Sequence, residues 1–252
     1  MTTYHRYVAL GDSQTEGIGD HDGTGYRGFA DRLAERLALE SPGLLYANLG
    51  VRGRRAAQVR DEQLAAALAL RPDLVTVEAG MNDLPRPGFD AAVVAAALED
   101  MFAALTAAGA QVVTVTYPDI SRIAPLARPL LPRVLDLNQR IRTAAARHGV
   151  TLVDTYPIAA VTDGRLWSKD RLHASPLGHA TIAAAVAHAL NLPGSDDSWT
   201  LPLPPLRVSR ARLAADELRW LATFAGPWLS RRLRGRSSGD GRTAKRPTLE
   251  PV

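Results

Sequence analysis

Residues 7–13 read Tyr7-Val8-Ala9-Leu10-Gly11-Asp12-Ser13, an apolar run that breaks at once into a turn tripeptide. Consecutive apolar positions, rather than alternating ones, mark a strand buried on both faces, as in a parallel sheet. The same kind of run recurs at Leu44–Leu49, Leu74–Ala79, Gln111–Thr116 and Thr151–Asp154. Longer Ala/Leu-rich stretches separate these runs, and their spacing predicts helices over Tyr26–Glu40, Ala56–Leu70, Asp90–Ala108, Pro132–Arg147 and Pro176–Leu190. Ser175-Pro176 is a cap followed by a first-turn proline, and Gly109 and Gly149 follow their helices as stops. Alternating strands and helices predict an α/β fold with a parallel sheet covered on both sides. In such sheets a site lies outside the carboxyl ends of the strands.

Composition sets outer bounds. The 252 residues suit one α/β domain, or a domain of roughly 190–200 residues with an appendage. The absence of cysteine excludes disulfides, thiolate catalysis and cysteine–metal sites. The first strand begins near Tyr7 with no apolar leader before it, and no run of about 18 apolar residues occurs. A cytoplasmic location is the expectation, with peripheral membrane contact as an option. The net charge of +4 hides an asymmetry: residues 207–252 carry +7 and the remaining chain carries −3.

Four short segments fall at the expected carboxyl ends of strands. They are Gly11-Asp12-Ser13, Asn48-Leu49-Gly50-Val51-Arg52-Gly53, Gly80-Met81-Asn82-Asp83 and Asp170-Arg171-Leu172-His173. Each alone reads as ordinary turn or cap chemistry. Together they offer every role that acyl transfer requires. Ser13 is the candidate nucleophile and His173 its general base, and Asp170 orients the imidazole. The Ser13 and Gly53 N–H groups and the Asn82 amide are candidate oxyanion donors.

This set resembles the SGNH/GDSL hydrolase family, named for its Ser, Gly, Asn and His, over about residues 6–190. The order and approximate spacing of the four blocks carry the resemblance, and Tyr117-Pro118 after the fourth strand is similar to the family as well. It implies Ser13 as nucleophile, Asp170 and His173 as the rest of the triad, and Gly53 and Asn82 as oxyanion donors. It also implies a three-layer α/β/α, flavodoxin-like fold with a mainly five-stranded parallel sheet. Two departures stand out. Gln14 follows the serine where the family name implies Leu, and Gly50 competes with Gly53, although the spacing from Asn48 favours Gly53.

Other motifs carry less. Gly23-Thr24-Gly25-Tyr26-Arg27-Gly28 matches a dinucleotide fingerprint but does not directly follow a strand, so it reads as a loop entering a helix. Gly235-Arg236-Ser237-Ser238-Gly239 matches a nucleophile elbow but has no strand before it and no histidine after it. Asp20-His21-Asp22 reads as a polar loop rather than a metal site. Arg52, Arg54 and Arg55 read as a solvated helix start, and His5, His148, His179 and His188 as surface or helix histidines.

The expected organisation is a catalytic domain over 1–192, a Pro-rich linker over 193–206, a basic amphipathic helical extension over 207–233 and a disordered tail over 234–252. In the extension, Leu213, Trp220, Leu221, Phe224 and Trp228 recur near helical spacing among arginines. Packing on the domain is favoured for Leu213–Phe224, with an anionic membrane as the alternative and no specific nucleic-acid contact expected. The function read from all this is hydrolysis of a small-molecule carboxylic ester through an acyl-enzyme, with no cofactor and no metal. The loop Ile120–Leu131 and the Trp167 region are expected to shape the pocket. A carbohydrate O-deacetylase and a membrane-surface binding module are the competing readings.

Overall fold

The computed structural model describes residues 3–206, 215, 217–225 and 239–252. Leu213, Trp228, the Gly235–Ser237 motif and most of the expected 207–233 extension lie outside them.

Five parallel strands form the centre: β1 (Arg6–Gly11), β2 (Leu45–Asn48), β3 (Leu74–Glu78), β4 (Gln111–Val115) and β5 (Thr151–Val153). Their order is β5-β4-β3-β1-β2, with β1 and β3 adjacent at the point where the winding reverses. Both faces are apolar and both are covered. On one side α3 (Ala56–Ala69), α4 (Ala91–Ala107) and α6 (Leu131–His148) pack over Val8, Leu10, Val75 and Val77. On the other, α2 (Gly28–Glu40) and α7 (Pro176–Ala189) pack over Tyr7, Ala9 and Tyr46. This is the expected three-layer α/β/α arrangement. Tyr7 and Tyr46 stack at 5.1 Å between ring centroids, and the Tyr7 hydroxyl pairs with Thr76 Oγ1 at 2.8 Å. That bond satisfies a polar group which would otherwise be costly so deep in the core.

The expected loop at 120–131 is folded into α5 (Ile120–Ile123) and a 3₁₀ helix, Pro125–Leu130, before α6 begins. The Pro-rich stretch after α7 is a surface wrap. Arg36 donates to the Pro193 carbonyl at 2.9 Å, and Arg165 donates to that of Pro204 at 2.8 Å.

The tail overturns one expectation. Residues 246–251, placed in a disordered tail, form β6 (Arg246–Pro251), which pairs antiparallel with β2 and makes a sixth strand. Two prolines and several polar residues argue against a strand in isolation. They are tolerated because β6 lies at the sheet's outer edge, where one side needs no ladder donors. Just before it, Lys245 Nζ donates to the Tyr26 and Arg27 carbonyls at 2.6 and 3.0 Å, and to Asp31 at 2.7 Å. Leu249 packs against the core cluster on the α3, α4 and α6 side of the sheet. Deleting residues 244–252 removes these ladder bonds, the lysine clasp and one apolar contact. It is expected to lower the unfolding free energy by about 2–4 kcal/mol. Urea denaturation of the full and shortened chains measures this, and an unchanged midpoint would show that β6 adds nothing.

Candidate active site

Ser13 owes its position to the turn that ends β1. A Cβ at Gly11 would lie 2.2 Å from Thr15 Oγ1 and 2.5 Å from the Glu78 carbonyl oxygen, so only glycine fits there. Gln63 of α3 secures that glycine from the side, accepting its N–H and donating to its carbonyl, each at 2.9 Å. The chain then enters α1 (Ser13–Glu16), capped by Asp12, whose side chain accepts the Gln14 N–H at 3.2 Å. Ser13 is the first residue of that helical turn, so its N–H has no acceptor within it.

The histidine arrives on the loop before α7. Trp167 bridges to Ala174, and the Ser168 N–H donates to the His173 carbonyl at 2.8 Å, closing the loop at its base. Arg171 takes a left-handed conformation with φ of 57°, so the chain doubles back. A three-residue separation then suffices to bring the Asp170 carboxylate onto the His173 ring. Asp170 Oδ2 lies 2.7 Å from His173 Nδ1. Its Oδ1 accepts the Leu172 and His173 N–H groups at 2.9 and 3.0 Å and the Ser168 hydroxyl at 2.6 Å. His173 Nε2 lies 3.0 Å from Ser13 Oγ. A carboxylate on Nδ1 selects the tautomer that leaves Nε2 as an acceptor for the serine proton. Burial raises the Asp170 carboxyl, but the bonds from His173 and Ser168 outweigh it and hold the group at about 2.

The remaining blocks line the same cavity. Gly53, with φ of 77°, and Asn82 both face it, while Gly50 packs against Thr15 and Glu16 behind α1. Asn82 Nδ2 donates to Asp12 Oδ2 at 2.8 Å and to the Arg54 carbonyl at 3.1 Å. Asp83 faces away, accepting the Ala56 N–H at 3.0 Å to secure the start of α3. Beneath the serine turn, burial raises the Asp12 carboxyl. It also raises Glu78 well above the usual carboxylate range, with the nearby charge of Asp12 adding to the shift.

Several minor readings change. His179 is a core residue: its Nδ1 accepts the Phe29 N–H at 3.1 Å and its Nε2 donates to the Ile18 carbonyl at 3.0 Å, fastening α7 to α2. Burial lowers its pKa to about 4, so the ring stays neutral. His148 has an acidic partner, Glu99, at 3.1 Å. Arg52 and Arg54 are not solvated; Arg52 pairs with Glu16 and Arg54 with Glu62. Asp20 binds Arg32 at 2.8 Å, and Asp22 accepts N–H groups of its own loop.

Three residues beside the site take contacts that the sequence did not assign to them. Ser168 braces Asp170. Gln14, noted only as a departure, accepts the Ala174 N–H at 3.1 Å through Oε1 and so joins the serine turn to the histidine loop. Trp220 donates from Nε1 to the Asp170 carbonyl at 2.9 Å. Ser168 carried no signal, Gln14 stood out as a departure from the family pattern, and Trp220 belonged to the aromatic spacing for which packing on the domain was favoured. The cavity beside Ser13 measures about 780 Å3 and is walled by α5, the Pro125–Leu130 turn, Leu166, Trp167 and Trp220. Both segments expected to shape a pocket do so. Among the described residues, no helix is long and apolar enough to cross a membrane.

Comparison with known proteins places this geometry. The model of the GDSL-like lipase/acylhydrolase family matches residues 9–181. Among solved structures, an acetylxylan esterase from Geobacillus stearothermophilus aligns with a TM-score of 0.64 at 18% identity, covering 77% of this chain and 97% of its own. A lipase/acylhydrolase from Enterococcus faecalis aligns at 0.60 and 23% identity, covering 74% and 95%. An α/β hydrolase enzyme from the metagenome of Lake Arreo, Spain, aligns at 0.62 and 22% identity, also covering 74% and 95%. At such identities these likenesses speak to the fold. No curated protein matches the chain. The family match spans most of the α/β unit and includes the serine turn and the histidine loop, so the chain belongs to the GDSL-like lipase/acylhydrolase family and is a carboxylic ester hydrolase.

Proposed function

We propose that the enzyme cleaves its ester through a Ser13 acyl-enzyme, with His173 as general base and acid and Asp170 as the group that orients it. The observation that carries this reading is the unbroken chain Asp170 Oδ2, His173 Nδ1, His173 Nε2, Ser13 Oγ, with separations of 2.7 and 3.0 Å. Ser13 Oγ attacks the ester carbonyl while its proton passes to Nε2. The carbonyl oxygen becomes an oxyanion, and the imidazolium formed is stabilised by the Asp170 carboxylate. Collapse breaks the bond to the alcohol oxygen, which takes the proton from Nε2. Water then repeats the sequence on the acyl-enzyme, releasing the acid and restoring Ser13.

The oxyanion donors in this reading are the Ser13 and Gly53 N–H groups and the Asn82 amide. In the resting protein Asn82 donates to Asp12 and to the Arg54 carbonyl. Those two bonds hold the amide plane at the cavity rim, and its donation to the oxyanion is shared with one of them. Asp12 thus positions Asn82 as well as capping the serine turn.

Three outcomes test the assignment. Ser13→Ala or His173→Ala is expected to lower kcat by roughly 10⁴–10⁶-fold in a folded protein, by analogy with other serine triads. Near-normal hydrolysis by folded Ser13→Ala would remove Ser13 from the role. Asn82→Ala is expected to cost on the order of 10²–10³-fold in kcat; a change confined to KM would make Asn82 a substrate-binding group instead. Gln14→Leu leaves the buried Ala174 N–H without an acceptor. It is expected to cost about 1–3 kcal/mol of stability and to lower kcat several-fold with KM little changed. Gln14→Glu retains an acceptor and is expected to recover part of both, as steady-state kinetics and thermal melts would show.

A further inference from the structure

The family match stops at residue 181, yet residues 217–225 lie against the active site. These residues are helical, and the last turn, Leu221–Ala225, is wound as a π-helix. Trp220 is 8% exposed and holds the segment in place. Its Nε1 donates to the Asp170 carbonyl at 2.9 Å, its ring lies 4.8 Å below the Arg171 guanidinium, and Arg171 also pairs with Glu217 at 2.5 Å. Three contacts therefore dock the segment on the very loop that carries Asp170 and His173. Leu221, the next residue, and Phe224, about one turn further on, face the cavity that opens at Ser13.

From this geometry we infer that residues 217–225 are a specificity-determining wall, which makes the enzyme prefer esters of extended apolar acyl groups over acetate esters. The inference rests on the Ser13 acyl-enzyme reading above. A cavity of about 780 Å3 far exceeds what an acetyl group fills. Away from the triad its lining is largely aliphatic and aromatic, with Ile120, Ile123, Leu126 and Leu130 from one segment and Leu221 and Phe224 from another. An acyl chain of several methylenes displaces water from this lining, and each buried methylene strengthens binding. An acetyl group leaves most of the lining uncovered, so it gains little from the wall. Trp220 is a positioning residue in this scheme, because it touches the Asp170 loop and sets where Leu221 and Phe224 stand.

The test is a series of p-nitrophenyl esters from acetate to dodecanoate, with the wild type and the Leu221→Ala/Phe224→Ala double variant. Both side chains are partly exposed, so the variant is expected to keep the wild-type melting temperature. For the wild type, kcat/KM is expected to rise at least tenfold from acetate to octanoate. In the double variant the octanoate value is expected to fall about tenfold while the acetate value stays within twofold. A flat or falling wild-type profile would overturn the inference, as would a variant that keeps the wild-type profile or loses activity equally on every ester. Should the variant fail to fold, n-alkylphosphonate inhibitors of graded length report on the wild type instead. Inhibition that strengthens with chain length supports the wall, and length-independent inhibition overturns it. Ser13→Ala separates the two layers of argument. Acetate hydrolysis that it abolishes, without any chain-length preference, sinks only this inference. Hydrolysis that survives in Ser13→Ala sinks the acyl-enzyme reading first.

Discussion

The proposed catalytic arrangement depends first on how closely the chain can turn at Gly11. β1 is an inner strand of the sheet, between β3 and β2, and its last residue must let Thr15 and the Glu78 carbonyl approach to distances that no side chain permits. That single steric condition puts Ser13 at the start of a helical turn directly above the sheet. It also puts Asp12 where it reaches Asn82 from the neighbouring strand. Gln63 bonds both backbone groups of Gly11 at the end of the ladder, accepting its N–H and donating to its carbonyl. The proposed nucleophile is thus presented at the end of a buried inner strand, and its backbone has little freedom to drift from the line of the histidine.

The histidine is held by quite different means. Its loop has no strand beneath it and is fixed by hydrogen bonds: Ser168 and two backbone N–H groups on Asp170, Gln14 on Ala174, and Trp220 on the Asp170 carbonyl. A loop of this kind can be retuned by whatever packs on it. In this chain a segment beyond the family match does so, and it brings its own apolar residues to the cavity. The last residues of the chain are fastened to the start of α2 by Lys245 and to the edge of β2 by β6. Described C-terminal residues are therefore integrated with the α/β unit both at the histidine loop and at the sheet edge.

Much of this was legible in the residues. Apolar runs such as Tyr7–Leu10 and Leu74–Ala79 can only be buried on both faces, and that dictates a parallel sheet with helices on each side. The four polar segments fall where such sheets carry their sites, and their residue types suit acyl transfer and little else. The Asp170–His173 spacing was readable too, because three residues on an irregular loop allow a carboxylate to return onto its own ring. What determined these features is local: periodicity, turn chemistry and the order of blocks along the chain.

The tertiary structure alone decided the rest, and the reason is the same each time. Whether Gly50 or Gly53 meets the cavity depends on which of them α1 covers. The core role of His179 depends on the Phe29 N–H, 150 residues away, and that of Gln14 on the Ala174 N–H, 160 residues away. Arg246–Pro251, rich in proline and polar residues, becomes a strand only because the edge of β2 offers it a ladder. Trp220 and its neighbours could be read from their spacing as an amphipathic helix face, but a face does not name its partner. Local sequence encodes what a segment can present, whereas long-range packing selects what it meets.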